Sequence, residues 1–330
     1  MRVIYPDRGL ALLCQLLGYS RQAYYKVKKH LEDKAAFYAI VAELVSEVRT
    51  EIGNFKLGAR KLLPLINEKL GIDTQSIGRD QLFEVMELYG LKVRKRKRRR
   101  PNTTNSEHNF GVYPNLIKHL DIQEAERVWA SDITYIRIKG RFLYLNLITD
   151  CYSRKIMGYC LHPDLSAEGT LKALLMALGN RQYPIRKLIH HSDQGIQYCS
   201  QVYINMLKTH GIAISMSAKG SPQENPLAER INGILKDEYG LGKTLDNEDQ
   251  ALQKVETSIG SYNQKRPHNS LDDDTPEQKH NEDNWKQDLD ASLSTKPRTK
   301  QMTVNNEKDK DEACLPISGS SITHDNSMKD

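Results

Sequence analysis

The sequence predicts an α/β protein in which an all-α region precedes a mixed five-stranded sheet flanked by helices. Apolar residues recur at helical spacing through residues 1–91, whereas five short runs rich in β-branched and aromatic residues follow Val128. The segment between them is dense in Lys and Arg and has no apolar periodicity. We therefore expect a helix-turn-helix-like region at 1–91, a basic linker at 92–127, a core with a C-terminal helix at 128–280, and a disordered tail at 281–330.

The composition excludes several classes of protein. The hydrophobic content of 38% suits a globular core, and no run approaches the roughly 18 apolar residues of a membrane helix or the apolar core of a signal peptide. Five scattered cysteines without C-x-x-C spacing support neither a disulfide framework nor a cysteine zinc site. A location in the reducing cytoplasm, with no membrane partner, is the expectation.

The N-terminal region predicts short helices joined by tight turns. A helix at Leu10–Leu17 precedes Gly18, which suits a left-handed turn, and Ser20, which can cap the next helix. A second helical group spans residues 35–91 and is punctuated by Gly71 and Gly78. This pattern fits a DNA-binding head and, equally, a small helical bundle.

The core alternates between strands and helices after an initial meander. Three strands come first, at 128–138, 142–149 and 155–161, and two more are predicted at 187–191 and 212–216. Helices are predicted at 166–178, 201–209, 223–239 and 249–263. The order β-β-β-α-β-α-β-α is that of the ribonuclease H-like fold.

Three acidic residues are the candidates for chemistry. Asp132 and Asp193 occur in or directly after apolar strands, where a carboxylate is costly unless it is paired or bound to a cation. Glu229 lies on the long helix, and the three are separated by 60 and 35 intervening residues. Carboxylates hold Mg²⁺ while leaving room for water and phosphate oxygens, so their convergence would suit phosphodiester transfer.

The motifs around these residues resemble one family. Trp-Ala-Ser-Asp-Ile-Thr-Tyr at 129–135, His-Ser-Asp-Gln-Gly-Ile-Gln-Tyr at 191–198, Asn-Pro-Leu-Ala-Glu-Arg-Ile-Asn-Gly-Ile-Leu-Lys at 225–236 and Tyr-Asn-Gln-Lys-Arg-Pro-His at 262–268 resemble bacterial insertion-sequence transposases of the IS-three (IS3) group. These share the integrase catalytic core with retroviruses. The resemblance covers roughly residues 10–276.

The resemblance implies a DDE transposase. Asp132, Asp193 and Glu229 would be the catalytic triad and would hold two Mg²⁺ ions, with Mn²⁺ as a possible substitute, while Lys236 would contact transposon-end DNA. The implied partners are the inverted-repeat ends of the element, target DNA, further copies of the chain assembled on DNA, and the product of an upstream reading frame. A bacterial cytoplasmic protein that joins the nucleoid when bound to DNA is implied as well.

Two acidic residues compete with this assignment. The family usually has Asp-Asn-Ala where this chain has Glu224-Asn225-Pro226, so Glu224 is an alternative to Glu229, although spacing favours Glu229. Asp150 is expected to pair with Arg154 or to cap a turn rather than to bind metal. No zinc module is expected, and adjacent His190 and His191 on a strand cannot both reach one metal.

Other residues are predicted to contact DNA. A solvated linker is the alternative for the basic run, but adjacent cations gain most from a polyanion, and six phosphate contacts would give a log-log salt slope of about −5. For Arg266 a structural role, and for His191 a positioning role, are the alternatives. The basic run consists of Arg94, Lys95, Arg96, Lys97, Arg98, Arg99 and Arg100.

Two rival functions remain open from the sequence. One is a ribonuclease H-like nuclease that cleaves DNA without joining strands. The other is a DNA-binding regulator in which the carboxylates have no catalytic role. Cleavage and strand-transfer assays on an Asp193→Asn variant separate both from a transposase.

Overall fold

We describe a computed structural model of the chain over residues 9–71, 75–93, 111–219 and 221–282. The predicted basic run at 94–100, the rest of the predicted linker up to residue 110 and nearly all of the predicted tail lie outside these residues. Within them, no helix combines the length and hydropathy that a membrane crossing requires.

The N-terminal region is all-α and has its own apolar core. Ser20 caps the second helix, because its Oγ accepts a hydrogen bond from the Ala23 N–H at 3.1 Å, and Gly18 adopts a left-handed φ of 73°. The prediction of a separate helical group starting near residue 35 is wrong: with no Gly or Pro at 21–52, one helix runs through. The helices are α1 (Leu10–Leu16), α2 (Arg21–Ile52), α3 (Ala59–Leu70) and α4 (Arg79–Leu88).

The core is built on one mixed sheet of five strands. Its spatial order is β3-β2-β1-β4-β5; β1 pairs antiparallel with β2 and parallel with β4, and β5 continues parallel to β4. This topology confirms the predicted ribonuclease H-like fold. The strands are β1 (Val128–Ile138), β2 (Arg141–Asp150), β3 (Ile156–His162), β4 (Ile189–Ser192) and β5 (Ala213–Met216).

Helices cover both faces of the sheet. One apolar cluster joins α5 and α7 to Trp129 and Ile148, and another joins α8 and α9 to Ile136 and Leu143. The short helices α6 and α10 were not predicted. The core helices are α5 (Ala167–Gly179), α6 (Ile196–Cys199), α7 (Gln201–Thr209), α8 (Pro226–Asp237), α9 (Glu248–Lys265) and α10 (Pro276–Asn281).

The short length of β4 opens an edge on β1. Parallel pairing between these strands covers only Val128, Ala130 and the residue between them, so the rest of β1 extends past the end of β4. Helix α8 packs beside this extension: the Asn225 side chain donates to the Ser131 carbonyl at 3.0 Å. The open edge of β1 and the start of α8 therefore meet where β4 ends.

Candidate active site

Asp132 and Asp193 lie side by side at the end of β4. The register pairs Val128 with Ile189, and four residues further along each strand are Asp132 and Asp193. Neighbouring strands are about 4.8 Å apart, so continuation of this register brings the two carboxyl groups to one place. The Asp193 Oδ1 accepts a hydrogen bond from the Gly195 N–H at 2.9 Å, and a Cβ added to Gly195 would stand 2.9 Å from that oxygen.

Helix α8 presents Glu229 to the same side of the sheet. Asn225, Glu229 and Asn232 lie within one stripe of a helix, since they are spaced by four and three residues. The first donates to the Ser131 carbonyl, and the Asn232 Nδ2 donates to the Asp132 Oδ2 at 2.7 Å. Pro226 occupies the first turn, as predicted. Glu229 therefore projects from the exposed first turn, between two side chains that hold β1.

The pKa of Asp132 reflects its proximity to the carboxylates of Asp193 and Glu229. Burial and then the charge of Asp193 raise the pKa of Asp132 to about 7, and Glu229 contributes to the rise. Hydrogen bonds from the Ile133 N–H and the Asn232 amide oppose it without cancelling it. The carboxylates thus repel one another at neutral pH.

The donor set fits a hard divalent cation, although the three carboxylates are not drawn together into one cluster. Among the described residues, no three His, Cys, Asp or Glu side chains lie close enough to form a ready-made metal cluster. The Asn232 Oδ1, on the same amide as the Nδ2 that donates to Asp132, is buried and has no hydrogen-bond partner among the described residues. An orphaned oxygen beside repelling carboxylates is the environment that a cation would relieve.

The two histidines beside Asp193 are structural in their contacts. His190 lies 2.6 Å from the Ser131 Oγ and 2.9 Å from the Tyr203 hydroxyl, and burial lowers its pKa to about 3. His191 is fully buried with Nδ1 2.9 Å from the Ser215 Oγ, so these contacts favour positioning rather than the predicted DNA contact. The two rings contact different elements, as the strand alternation predicts.

The competing acidic residues are occupied elsewhere. The Glu224 carboxylate accepts hydrogen bonds from the Asn115 side chain at 3.0 Å and the Ala218 N–H at 2.7 Å, so it closes a loop. Asp150 is buried and caps the turn after β2, because its Oδ1 accepts the Ser153 N–H at 2.8 Å. The prediction of a turn cap at Asp150 is confirmed.

The other end of α8 carries a satisfied carboxylate. The Glu238 carboxylate accepts hydrogen bonds from two guanidinium nitrogens of Arg266, each at 2.8 Å. It also accepts from the Asn54 amide at 2.8 Å and from the Lys61 ammonium at 3.3 Å. Burial alone would raise the pKa of Glu238, but these donors lower it to about 2. Arg266 is 2% exposed, so its contacts support the structural alternative rather than the predicted DNA contact.

Some functional candidates were missed from the sequence. Asn232 lies in the quoted motif, one helical turn after Glu229, and its spacing was the available signal. Lys236 lies two turns after Glu229 on α8, and its ammonium stands 4.1 Å from the centroid of the Tyr135 ring. That contact with a β1 aromatic had no local signal, because it joins residues far apart in the chain.

Known protein sequences resemble most of the chain. Two models of the integrase core domain match residues 123–222 and 210–276. The 31 kDa protein of insertion element IS600 from Shigella sonnei is 35% identical over 269 residues, which cover 80% of this chain and 96% of that protein. The transposase InsF of IS3A from Escherichia coli is 35% identical over 173 residues, covering 52% of this chain and 60% of that protein.

Solved structures resemble parts of the chain at low identity. The catalytic core of HTLV-2 integrase, in complex with magnesium, is 20% identical with a TM-score of 0.39 and covers 48% of this chain and 97% of its own. The catalytic domain of Mos1 mariner transposase is 15% identical with a TM-score of 0.36 and covers 41% and 70%. The strand order, and not these overlaps, carries the fold assignment. Since it matches the IS600 protein over nearly that protein's whole length, the chain belongs to the insertion-sequence transposases of the IS3 group, which have an integrase catalytic core.

Proposed function

We propose that the protein cleaves DNA at the ends of a mobile element and joins those ends to target DNA, with Asp132, Asp193 and Glu229 holding two Mg²⁺ or Mn²⁺ ions. The observation that carries the proposal is the placement of Asp132 beside Asp193 on parallel strands and under the first half of α8, and the pKa of Asp132, raised to about 7, agrees with it. A cation bound between such carboxylates replaces their mutual repulsion by attraction, and strongly shifted pKa values of this kind are typical of functional sites. When bound, paired divalent ions supply the Lewis acidity that activates the attacking oxygen and stabilises the leaving oxygen.

The side chains have separate tasks in this proposal. Asn232 holds one oxygen of Asp132, and the Ile133 N–H holds the other at 2.9 Å, which fixes the carboxylate plane. The Gly195 N–H orients Asp193 in the same way. Glu229, on the exposed first turn of α8, completes the set when DNA and cations enter. No serine or tyrosine nucleophile is required, because water or a 3′-hydroxyl attacks the phosphodiester directly.

In this proposal DNA is recognised by regions of the chain other than the three carboxylates. The helix-turn-helix-like region and the basic run at 94–100 would bind inverted-repeat ends, and Lys236 would contact the end nearest to the chemistry. Joining two ends requires at least two active sites, so an assembly of several copies on DNA is part of the proposal. The product of an upstream reading frame is a further partner.

The test compares Asp193→Asn with wild type on duplexes that carry the element's own terminal sequences. We expect DNA binding in a gel shift to be retained and Mg²⁺-dependent cleavage and strand transfer to be lost. Asp164→Asn is the matched control, since that exposed carboxylate pairs with His162 at 3.0 Å, outside the site. Wild type that cleaves but never joins strands would support a nuclease, and wild type without either activity would support a regulator.

A further inference from the structure

A cluster of aromatic and cationic side chains extends from the site along the β1–β2 hairpin. We call it the aromatic platform. Tyr135 pairs with Tyr144 across the strands, and Arg137 pairs with Phe142, so all four side chains share one face of the sheet. Lys236 reaches this face from α8.

The platform is held by ring and cation contacts. Tyr135 and Phe142 meet edge to face with centroids 5.5 Å apart. Lys236 stands 4.1 Å from the centroid of Tyr135, and the Arg137 guanidinium stands 5.2 Å from that of Phe142. Each ring therefore has a cation beside it.

The platform is accessible because α5 begins beside the Asn146 row of the sheet and does not extend over the platform. Gly158 lies so close to α5 that an added Cβ would stand 2.2 Å from the Ala173 carbonyl oxygen. Gly169, on α5, lies so close to β2 that an added Cβ would stand 2.6 Å from the Asn146 side-chain nitrogen. Beyond those rows the face opens: Phe142 is 42% exposed, Arg137 is exposed, and Tyr135 is half-buried. Aromatic rings left partly open beside cations form a surface with ligand-binding chemistry.

The platform is also close to the carboxylates. Tyr135 is three residues along β1 from Asp132, which corresponds to about 10 Å in an extended strand, and its side chain leaves the opposite face of that strand. Helix α8 links the two, because Asn232 contacts Asp132 and Lys236, one helical turn later, contacts Tyr135. A DNA strand with a phosphate at the carboxylates would carry a neighbouring base to these rings.

We propose that the aromatic platform binds an unpaired deoxynucleotide next to the scissile phosphate, with its base packed against the rings of Tyr135 and Phe142 and its phosphates near Arg137 and Lys236. An aromatic ring reads the face of a base, which only an unstacked nucleotide offers, and cations supply the attraction to the backbone. The occupant is single-stranded DNA and not duplex, whose bases have their faces covered. This inference rests on the proposed function, because it places the scissile phosphate at Asp132.

The test measures binding of the full-length protein to a single-stranded oligodeoxynucleotide containing 2-aminopurine, in buffer with EDTA. Wild type quenches the 2-aminopurine fluorescence on binding, because the base stacks. Tyr135→Leu and Phe142→Leu each lose most of the quenching and raise the Kd for single strands about tenfold, the usual loss for one stacked base. Tyr135→Phe, which keeps the ring, behaves as wild type.

The control is Tyr152→Leu, which removes a different tyrosine with a lysine, Lys279, 6.0 Å from its ring centroid. It leaves quenching and affinity unchanged. Unchanged quenching in both folded leucine variants, or an equal loss of affinity for duplex, overturns the platform. The binding test needs no divalent ion, so failure of wild type to cleave DNA in a separate assay with Mg²⁺ would refute the proposed function and leave this binding result standing.

Discussion

The two ends of α8 hold carboxylates in opposite electrostatic states. Near its start, Asp132 lies beside Asp193 and Glu229, and its pKa is raised to about 7. At its end, Glu238 is surrounded by Arg266, Lys61 and Asn54, and its pKa is lowered to about 2. The same helix thus borders one site that repels its own charge and one that is fully compensated.

The difference separates function from stability. A compensated carboxylate such as Glu238 fixes the position of α8 against the N-terminal helices, because Asn54 and Lys61 come from that region. Carboxylates that repel one another lower the stability of the fold when no cation is present, and binding of a cation relieves that cost. We therefore assign the chemistry to the start of α8, where the carboxylates lower the stability of the fold in the absence of a cation.

The largest expected effect is that of Asp132→Asn. Cleavage falls by about a thousandfold or more, since several kcal/mol of metal-derived transition-state stabilisation are lost. Without metal, however, the variant is more stable than wild type by about 1–2 kcal/mol at pH 8. Urea denaturation in EDTA, beside a Mg²⁺-dependent cleavage assay, measures both.

The pH dependence of this gain has a definite sign. The folded protein binds a proton at Asp132 more tightly than the unfolded chain, because the pKa rises from 3.8 to about 7. Wild-type stability therefore declines as pH rises through this window, and the Asn variant lacks that decline. A metal-free variant less stable than wild type at pH 8 would refute the repulsion on which the comparison depends.

The second effect belongs to the other end of the helix. Glu238→Gln leaves Arg266 and Lys61 without their carboxylate and lowers the free energy of unfolding by about 3 kcal/mol at neutral pH. The folded pKa of Glu238 is lowered from 4.5 to about 2, so this contribution is present above pH 4.5 and lost as pH falls towards 2. Denaturation at several pH values measures it.

The control for that change is an exposed ion pair. Glu248→Gln breaks a pair with Arg141 in which both side chains are about half exposed. It costs at most about 0.5 kcal/mol, since solvent screens such pairs. Equal losses in the two variants would show that Glu238 is no more than a surface carboxylate.

The same contrast explains what the sequence could predict. The bounds of β1 and the placing of Asp132 beside Asp193 follow from local strand patterns and parallel pairing. The Glu238 cluster could not be found in this way, because Asn54 precedes Glu238 by 184 residues and nothing local marks them as neighbours. A DNA contact was predicted for Arg266 because the sequence around an arginine does not show which carboxylate it will pair with in the fold.

The smallest of the three effects is that of Asn232→Ala. This change removes the amide that donates to Asp132 at 2.7 Å and the unpaired Oδ1 beside it, while the carboxylates remain. Loss of such an orienting group weakens metal binding about tenfold or somewhat more. The Mg²⁺ concentration for half-maximal cleavage therefore rises by that factor, and saturating Mg²⁺ restores most of the rate.

Asn180→Ala, which removes a 2.9 Å hydrogen bond to Met157 at the far edge of the sheet, leaves the Mg²⁺ titration unchanged. A rate deficit in Asn232→Ala that no Mg²⁺ concentration repairs would mean that this residue acts on DNA or on folding, and the orphaned oxygen would no longer support a cation between the carboxylates.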